Sequence, residues 1–160
     1  MLIREATADD WPHIWPFWHR IVAAGETYAW DPDTSEEDAR ALWTSPAKRV
    51  YVAEDDTGAV LASAYLTPNY GGPAARIANA GFMVDPDRAG RGTGRVLAEY
   101  VLDAARADGY RAMVFNAVVE TNPAVRLWTS LGFTILGTVP DAFDHPRHGR
   151  VGLHIMHRAL

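Results

Sequence analysis

Cysteine is absent from the 160 residues. That absence excludes disulfides, thiolate zinc sites and a cysteine nucleophile together. Positive charge is in deficit as well, since 15 Lys and Arg face 20 Asp and Glu for a formal net charge of −5. A general nucleic-acid or anionic-membrane surface is therefore not expected, and any anionic ligand must be held by a local site. No apolar run approaches the length of a membrane span, and "MLIREATADDW" is charged too early for a signal peptide. A cytoplasmic location is the resulting expectation. Internal repeats and low-complexity linkers are also missing, so the length predicts one domain, residues 1–160, with a single core.

What is present reads as alternating helix and strand signals. "LIRE" predicts a short first strand, and Thr7 with Asp10 three residues on is a helix-start signal. Trp11, Ile14, Trp15, Trp18, Ile21 and Val22 form an amphipathic helical face, with Pro16 predicting a kink or break inside it. "SEEDARALW" predicts a second, capped helix from Ser35 to Trp43. Three strands follow, "RVYVAED", "AVLASAYL" and "ARIANAGFMV", the first two joined by the hairpin signal "DDTG". A later helix places Val96, Leu97, Tyr100, Val101, Ala104 and Ala105 on one face and stops at Gly109. "RAMVFNAVV" reads as a strand buried on both faces. Asn122 and Pro123 then form an N-cap and first-turn pair for a short helix whose buried face is Ala124, Leu127, Trp128 and Leu131. "FTILGTV" and "RVGLHIMHRAL" close the chain as strands around a loop, "PDAFDHPRHG". The order β-α-α-β-β-β-α-β-α-β-β predicts an α/β sandwich around a mixed sheet.

The chemistry concentrates in "FMVDPDRAGRGTGRVLAEY". A strand ends, glycines 90, 92 and 94 alternate with Arg91, Thr93 and Arg95, and a helix begins. The first turn of a helix has unpaired N–H groups and partial positive charge, and glycine lets a phosphate approach the backbone. The plain alternative is a helix start with a solvated loop. The Gly-x-Gly-x-Gly spacing in mid-chain is neither the dinucleotide fingerprint nor, without Gly-Lys-Ser/Thr, a P-loop.

The stretch resembles the acetyl-CoA loop of the GCN5-related N-acetyltransferase (GNAT) superfamily, Gln/Arg-x-x-Gly-x-Gly/Ala after a strand ending in Val-x-Pro. "VDPDRAGRGTGRVL" matches at Val84, Pro86, Gly92 and Gly94, while Ala89 holds the Gln/Arg slot. A second motif, "TNPAVRLWTSLGF", is similar to the family's Asn-x-x-Ala-x-x-Leu-Tyr-x-x-x-Gly-Phe at Ala124, Leu127, Gly132 and Phe133. Its asparagine slot falls on Thr121, or on Asn122 if the loop is one residue shorter, and its tyrosine slot is Trp128.

The resemblance implies a single-domain acyl-CoA N-acyltransferase fold, with a mostly antiparallel sheet of about seven strands and about four helices. It implies acetyl transfer from acetyl-CoA to a primary amine, with no metal. Cofactor contacts are expected from Phe82, Met83 and Val84 on the strand, from Gly90, Arg91, Gly92, Thr93, Gly94 and Arg95 in the bend, and from Asn122. Asn116 occupies the slot of a glutamate base found in some relatives and is expected to orient a water, with Glu120 the nearest carboxylate; a solvated loop acid is the other reading of Glu120. Trp128 donates but is no usable acid. Glu26 and Tyr28 in "AGETYAWDPD", Asn79, and His145 in the terminal loop are the expected acceptor-site residues. The irregular spacing of histidines and acids in that loop does not suggest a metal. "GETYAWDP" has the look of the phosphinothricin-acetyltransferase-like branch, which favours a small amine. Acetylation of a protein N-terminus or lysine, and a non-catalytic acyl-CoA-binding domain, are the alternatives. A homodimer is the default expectation.

Overall fold

The computed structural model describes residues 1–160 and has the order that the periodicities require: β1 (Leu2–Glu5), α1 (Trp11–Ala24), α2 (Glu36–Trp43), β2 (Arg49–Glu54), β3 (Val60–Pro68), β4 (Ile77–Val84), α3 (Thr93–Ala107), β5 (Ala112–Val119), α4 (Ala124–Ser130), β6 (Thr134–His145) and β7 (Gly149–Ala159). The strands form one seven-stranded sheet in the order β1-β2-β3-β4-β5-β7-β6. Only β4 and β5 are parallel, because α3 is the only helix that carries the chain between adjacent strands of like direction. Strand alternation divides the core between the two faces. Val52 and Met83 join Trp11, Ile14, Phe17, Trp18, Val22, Ala39 and Trp43 beneath α1 and α2. Tyr51, Ala53, Leu66 and Ala80 meet Leu97, Val101, Leu102, Trp128 and Phe133 beneath α3 and α4.

Four expectations are corrected. First, Pro16 does not break α1, which runs unbroken from Trp11 to Ala24. The aromatic stripe along the helix is buried against the sheet and α2, and that burial outweighs one lost backbone bond. Second, the buried face of α3 is Thr93, Leu97, Ala98, Val101, Leu102 and Ala105, whereas Val96 and Tyr100 are exposed. Third, much of the expected loop "PDAFDHPRHG" is strand. β6 extends to His145 and only Pro146 to His148 turn, with bulges at Ile135/Gly137 and Val139/Phe143 absorbing the proline and the positive φ of Asp141. Fourth, β5 is not buried throughout, since Asn116 and Ala117 are exposed.

The last point has a structural cause that creates the site. β4 and β5 pair at only two positions, Ile77↔Ala112 and Ala78↔Met113. Beyond them β5 bulges between Phe115 and Val118 to stay with β7, and the two strands diverge. A wedge therefore opens between neighbours in the middle of the sheet.

At the other end of the sheet, Arg4 clamps the start of the helical layer. Its two terminal nitrogens donate to the two carboxylate oxygens of Asp10 at 2.8 Å each, and it also pairs with Glu54. The Thr7 amide donates to Asp10 at 2.6 Å. The Arg4 guanidinium holds the buried Asp10 carboxyl down at about 2.

Candidate active site

The glycine bend folds as the sequence predicts. Gly90 and Gly92 have φ of 81° and 79°, values an L side chain rarely adopts, and a Cβ at either would meet no atom within 4 Å. Gly92 is the N-cap of α3. No backbone carbonyl accepts from any amide of Ala89 to Arg95; the first bond of the helix runs from the Val96 amide to Gly92 at 3.2 Å. A row of unpaired donors thus lines a concave, side-chain-free bend. Gly94 meets a different need: a Cβ there would lie 3.4 Å from Val84 Cγ2 and 3.8 Å from Leu127 Cδ2, so its bareness brings α3 close to β4 and α4. Arg95 is tied to Ser130 at 2.6 Å and to Glu99 at 3.5 Å, and Arg88 to Asp55 at 3.5 Å, whereas Arg91 has no acidic partner.

From this bend the open edge of β4 leads into the wedge. The Asp85 amide bonds Leu61 of β3 and the Asn69 amide bonds Ile77, so odd-numbered positions of β4 turn their backbone groups to β3. By alternation Phe82 and Val84 turn theirs to the open side, and those of Met83 face Ser63. The Met83 side chain is buried under α1 and α2.

The wedge holds a cleft of about 240 Å³ lined on one side by Tyr28, Trp30 and Tyr65, on the other by Phe82, Phe115 and Trp128, and at its polar end by Asn79, Asn116 and Asn122. Trp128 lies 5.0 Å from Phe82 and 4.9 Å from Phe115, ring centre to ring centre, and is a wall of the cleft. Gly81 is required beneath Tyr65, because a Cβ there would fall 2.4 Å from the ring. Tyr28 reaches β4 itself. Its hydroxyl donates to the Phe82 carbonyl at 2.8 Å and accepts from the Phe82 amide at 3.0 Å. Burial in this aromatic wall pushes the Tyr28 phenol well above its ordinary range.

The polar end contains a residue that the sequence reading missed. The Asn69 carbonyl oxygen accepts from Asn79 at 3.0 Å and from Asn116 at 2.7 Å, and its nitrogen donates to the Asn116 oxygen at 3.1 Å. These bonds engage the Asn79 nitrogen and leave its carbonyl oxygen without a side-chain partner. Nothing in "TPNYGG" marks Asn69, because only the β3–β4 register sets it across from the divergence of β5. Asn122 precedes Pro123, the N-cap of α4, accepts the Ala124 amide at 2.9 Å and also lines the cleft.

Three of the expected catalytic and acceptor-site residues do not line the cleft. Glu120 is engaged on β7, where its carboxylate accepts the Gly152 amide at 2.5 Å. His145 is buried and caps the final turn, its Nδ1 accepting the amides of Arg147 and His148 at 3.1 and 3.2 Å. Glu26 pairs with Arg147 at 3.0 Å, tying the α1–α2 loop to the β6–β7 turn. Under that tie lies a second hollow of about 360 Å³, bounded by Gly25, Pro32, Phe143 and Asp144 and sharing Tyr28 and Trp30 with the cleft. No three His, Asp or Glu side chains converge as a metal site would require. No helix is long and apolar enough to cross a membrane.

A bend of unpaired amides, an open strand edge and an aromatic cleft beyond it are features suited to a long, phosphate-bearing ligand. The chain belongs to the acetyltransferase (GNAT) family, whose sequence model matches residues 8–133. It is 41% identical over 101 residues to the N-acetyltransferase aca1 of Schizosaccharomyces pombe, a match covering 62% of this chain. It spans about half (48%) of that relative's length. Among solved structures, a GCN5-related N-acetyltransferase from Kribbella flavida is 54% identical and superposes with a TM-score of 0.96 over 99% of this chain and 97% of the other. A phosphinothricin acetyltransferase from Sinorhizobium meliloti, solved with acetyl-CoA, is 25% identical with a TM-score of 0.86 over 99% and 88% of the two chains.

Proposed function

We propose that residues 1–160 act as one domain that transfers the acetyl group of acetyl-CoA to the primary amine of a small molecule. The observation that carries this reading is the continuity of the unpaired amides of Ala89–Arg95 with the open edge of β4 and the cleft beyond it. On this reading the amides of Gly90, Arg91, Gly92, Thr93, Gly94 and Arg95 receive the diphosphate, and Arg91, the cation without an acidic partner, serves the outer phosphate charge. The pantetheine arm lies along Phe82–Val84, pairing with the backbone groups of Val84 and bringing the thioester to Phe82, whose backbone groups Tyr28 holds. Asn122 and Trp128 flank the thiol. Acetyl-CoA supply assigns the reaction to the cytoplasm.

The acetyl-CoA supplies a thioester, and the chain supplies position, an aromatic-walled cleft and hydrogen bonds. An amine must lose its proton before it can attack. Asn79 and Asn116, held by Asn69, orient the amine and a water that passes its proton to solvent. The acceptor enters through the hollow beside Asp144, whose charge suits an ammonium, past Tyr28 and between the segments tied by Glu26 and Arg147. His145 contributes by fixing that turn. The two small volumes and the likeness to a phosphinothricin acetyltransferase favour a small amine over a protein chain.

A thiol-release assay with a panel of amino acids, other small amines and peptides tests the reading. Turnover is expected with small amines, and in the same assay Asn69→Ala raises KM for the amine with little change in KM for acetyl-CoA. Turnover with peptides only replaces the substrate class, and coenzyme binding without turnover on any amine overturns the enzymatic reading.

A further inference from the structure

We propose that the Tyr28 hydroxyl is a second hydrogen-bond donor to the thioester oxygen of the bound acetyl-CoA, acting beside the Phe82 amide. The inference rests on the acetyl-transfer reading above. Of Phe82, Met83 and Val84, only Phe82 lines the cleft, so the reacting carbon, which must meet the amine there, belongs at Phe82. The open-side donor at that point is the Phe82 N–H, which donates to the Tyr28 oxygen at 3.0 Å. The phenol thus stands where an acyl oxygen has to come.

The ring cannot easily leave. It stacks on Trp30 at 4.8 Å, meets Trp43 edge-on at 6.4 Å, and is half-buried against the core beneath α1 and α2. An oxygen that draws the Phe82 amide therefore arrives alongside the hydroxyl. The hydroxyl needs only to rotate its proton from the Phe82 carbonyl, now 2.8 Å away, to the newcomer. The acyl oxygen then has one main-chain and one side-chain donor.

The reaction balances without consuming the phenol. The amine lone pair forms a bond to the thioester carbon as the C=O π pair moves onto oxygen. That oxyanion is held by the two donors. The carbonyl then re-forms, the C–S bond breaks, and the sulfur departs with the bonding pair as thiolate. The nitrogen, cationic once bonded to carbon, sheds a proton that passes through water and neutralises the thiolate, leaving the neutral amide. Because burial keeps the phenol protonated at pH values where a thiol with a pKa near ~8.5 already ionises, Tyr28 donates a hydrogen bond and does not transfer its proton. Trp128 does not replace it, because its indole is part of the opposite wall.

Tyr28→Phe keeps the ring and removes the donor. The expected result is a fall in kcat of about 100-fold, the low end for loss of one such donor, with KM for acetyl-CoA and the shape of the pH–rate profile unchanged. A structural role alone would not alter the carbonyl itself. Infrared difference spectra of bound acetyl-CoA labelled with carbon-13 at the carbonyl should show the stretch at higher wavenumber in Tyr28→Phe than in the unmodified protein. Site-specific 3-fluorotyrosine at position 28, a stronger donor of nearly the same shape, should move it lower and covers the case in which the phenylalanine variant folds poorly. A stretch insensitive to both replacements, or an unchanged kcat in Tyr28→Phe, overturns the inference while leaving acetyl transfer intact. Failure of the unmodified protein to bind acetyl-CoA overturns the functional reading and this inference with it.

Discussion

Replacing Gly92 by aspartate separates a ligand-binding glycine from a merely conformational one. Gly92 sits at φ 79° with no atom within 4 Å of a built Cβ, so the protein itself has room for the side chain. The cost to folding is the left-handed backbone, about 1 kcal/mol for a non-glycine residue. Binding is another matter. A carboxylate about 5 Å from a phosphate repels it by roughly 3 kcal/mol at an effective dielectric near 20, and solvent exposure of the bend reduces that to about 2 kcal/mol. Obstruction of the approach adds to this, so affinity for acetyl-CoA should fall at least about 30-fold. Gly72→Asp is the control. Its φ is 53°, it too has no atom within 4 Å, and it precedes the far end of β4, roughly 25 Å of strand away from the bend. Both variants should lose similar stability in thermal melts, while calorimetric titration with acetyl-CoA should detect weakened binding only in Gly92→Asp. Wild-type affinity in Gly92→Asp, or an equal loss in Gly72→Asp, would refute the assignment of the bend.

Asp10→Asn tests the N-terminal clamp. Because the folded-state value of Asp10, about 2, lies below the ordinary 3.8, its contribution is present above about pH 4 and is lost as pH falls toward 2. It amounts to about 2 kcal/mol. Denaturation midpoints across that window should show the gap between wild type and Asp10→Asn closing as pH drops; a gap independent of pH would contradict the clamp. The free edge of the sheet offers the other test. β6, paired with β7 on one side only, exposes Ile135, Leu136 and Val139 at the edge of the sheet, and we propose that a second copy covers them. Leu136→Asp should then convert a dimer to a monomer by light scattering, and a wild type that is already monomeric would dismiss the homodimer.

The glycine bend was legible because its chemistry is local: a strand end, positive-φ positions and a helix start lie within a dozen residues, and each leaves its mark in residue type. Trp128 as an unusable acid was legible for the same reason. Asn69 was not, because its partners are 10 and 47 residues away and only strand register joins them. Glu120 and His145 lie outside the cleft for a related reason. Their residue types suit proton transfer or an acceptor site, but tertiary contacts engage one with a β7 amide and the other with a turn. The extended β6 was hidden by Pro140 and Asp141, which read as loop residues until a bulge accommodates them.

By itself, then, the sequence determined the element order, the two faces of the sheet and the positive-φ glycine bend at the start of α3. Each of these follows from hydrophobic periodicity and backbone preference over short spans. The divergence of β4 from β5, the asparagine trio in the wedge and the grip of Tyr28 on Phe82 were decided by tertiary structure alone. They depend on a bulge that commits β5 to β7, and on a tyrosine side chain being folded against a strand edge 54 residues away.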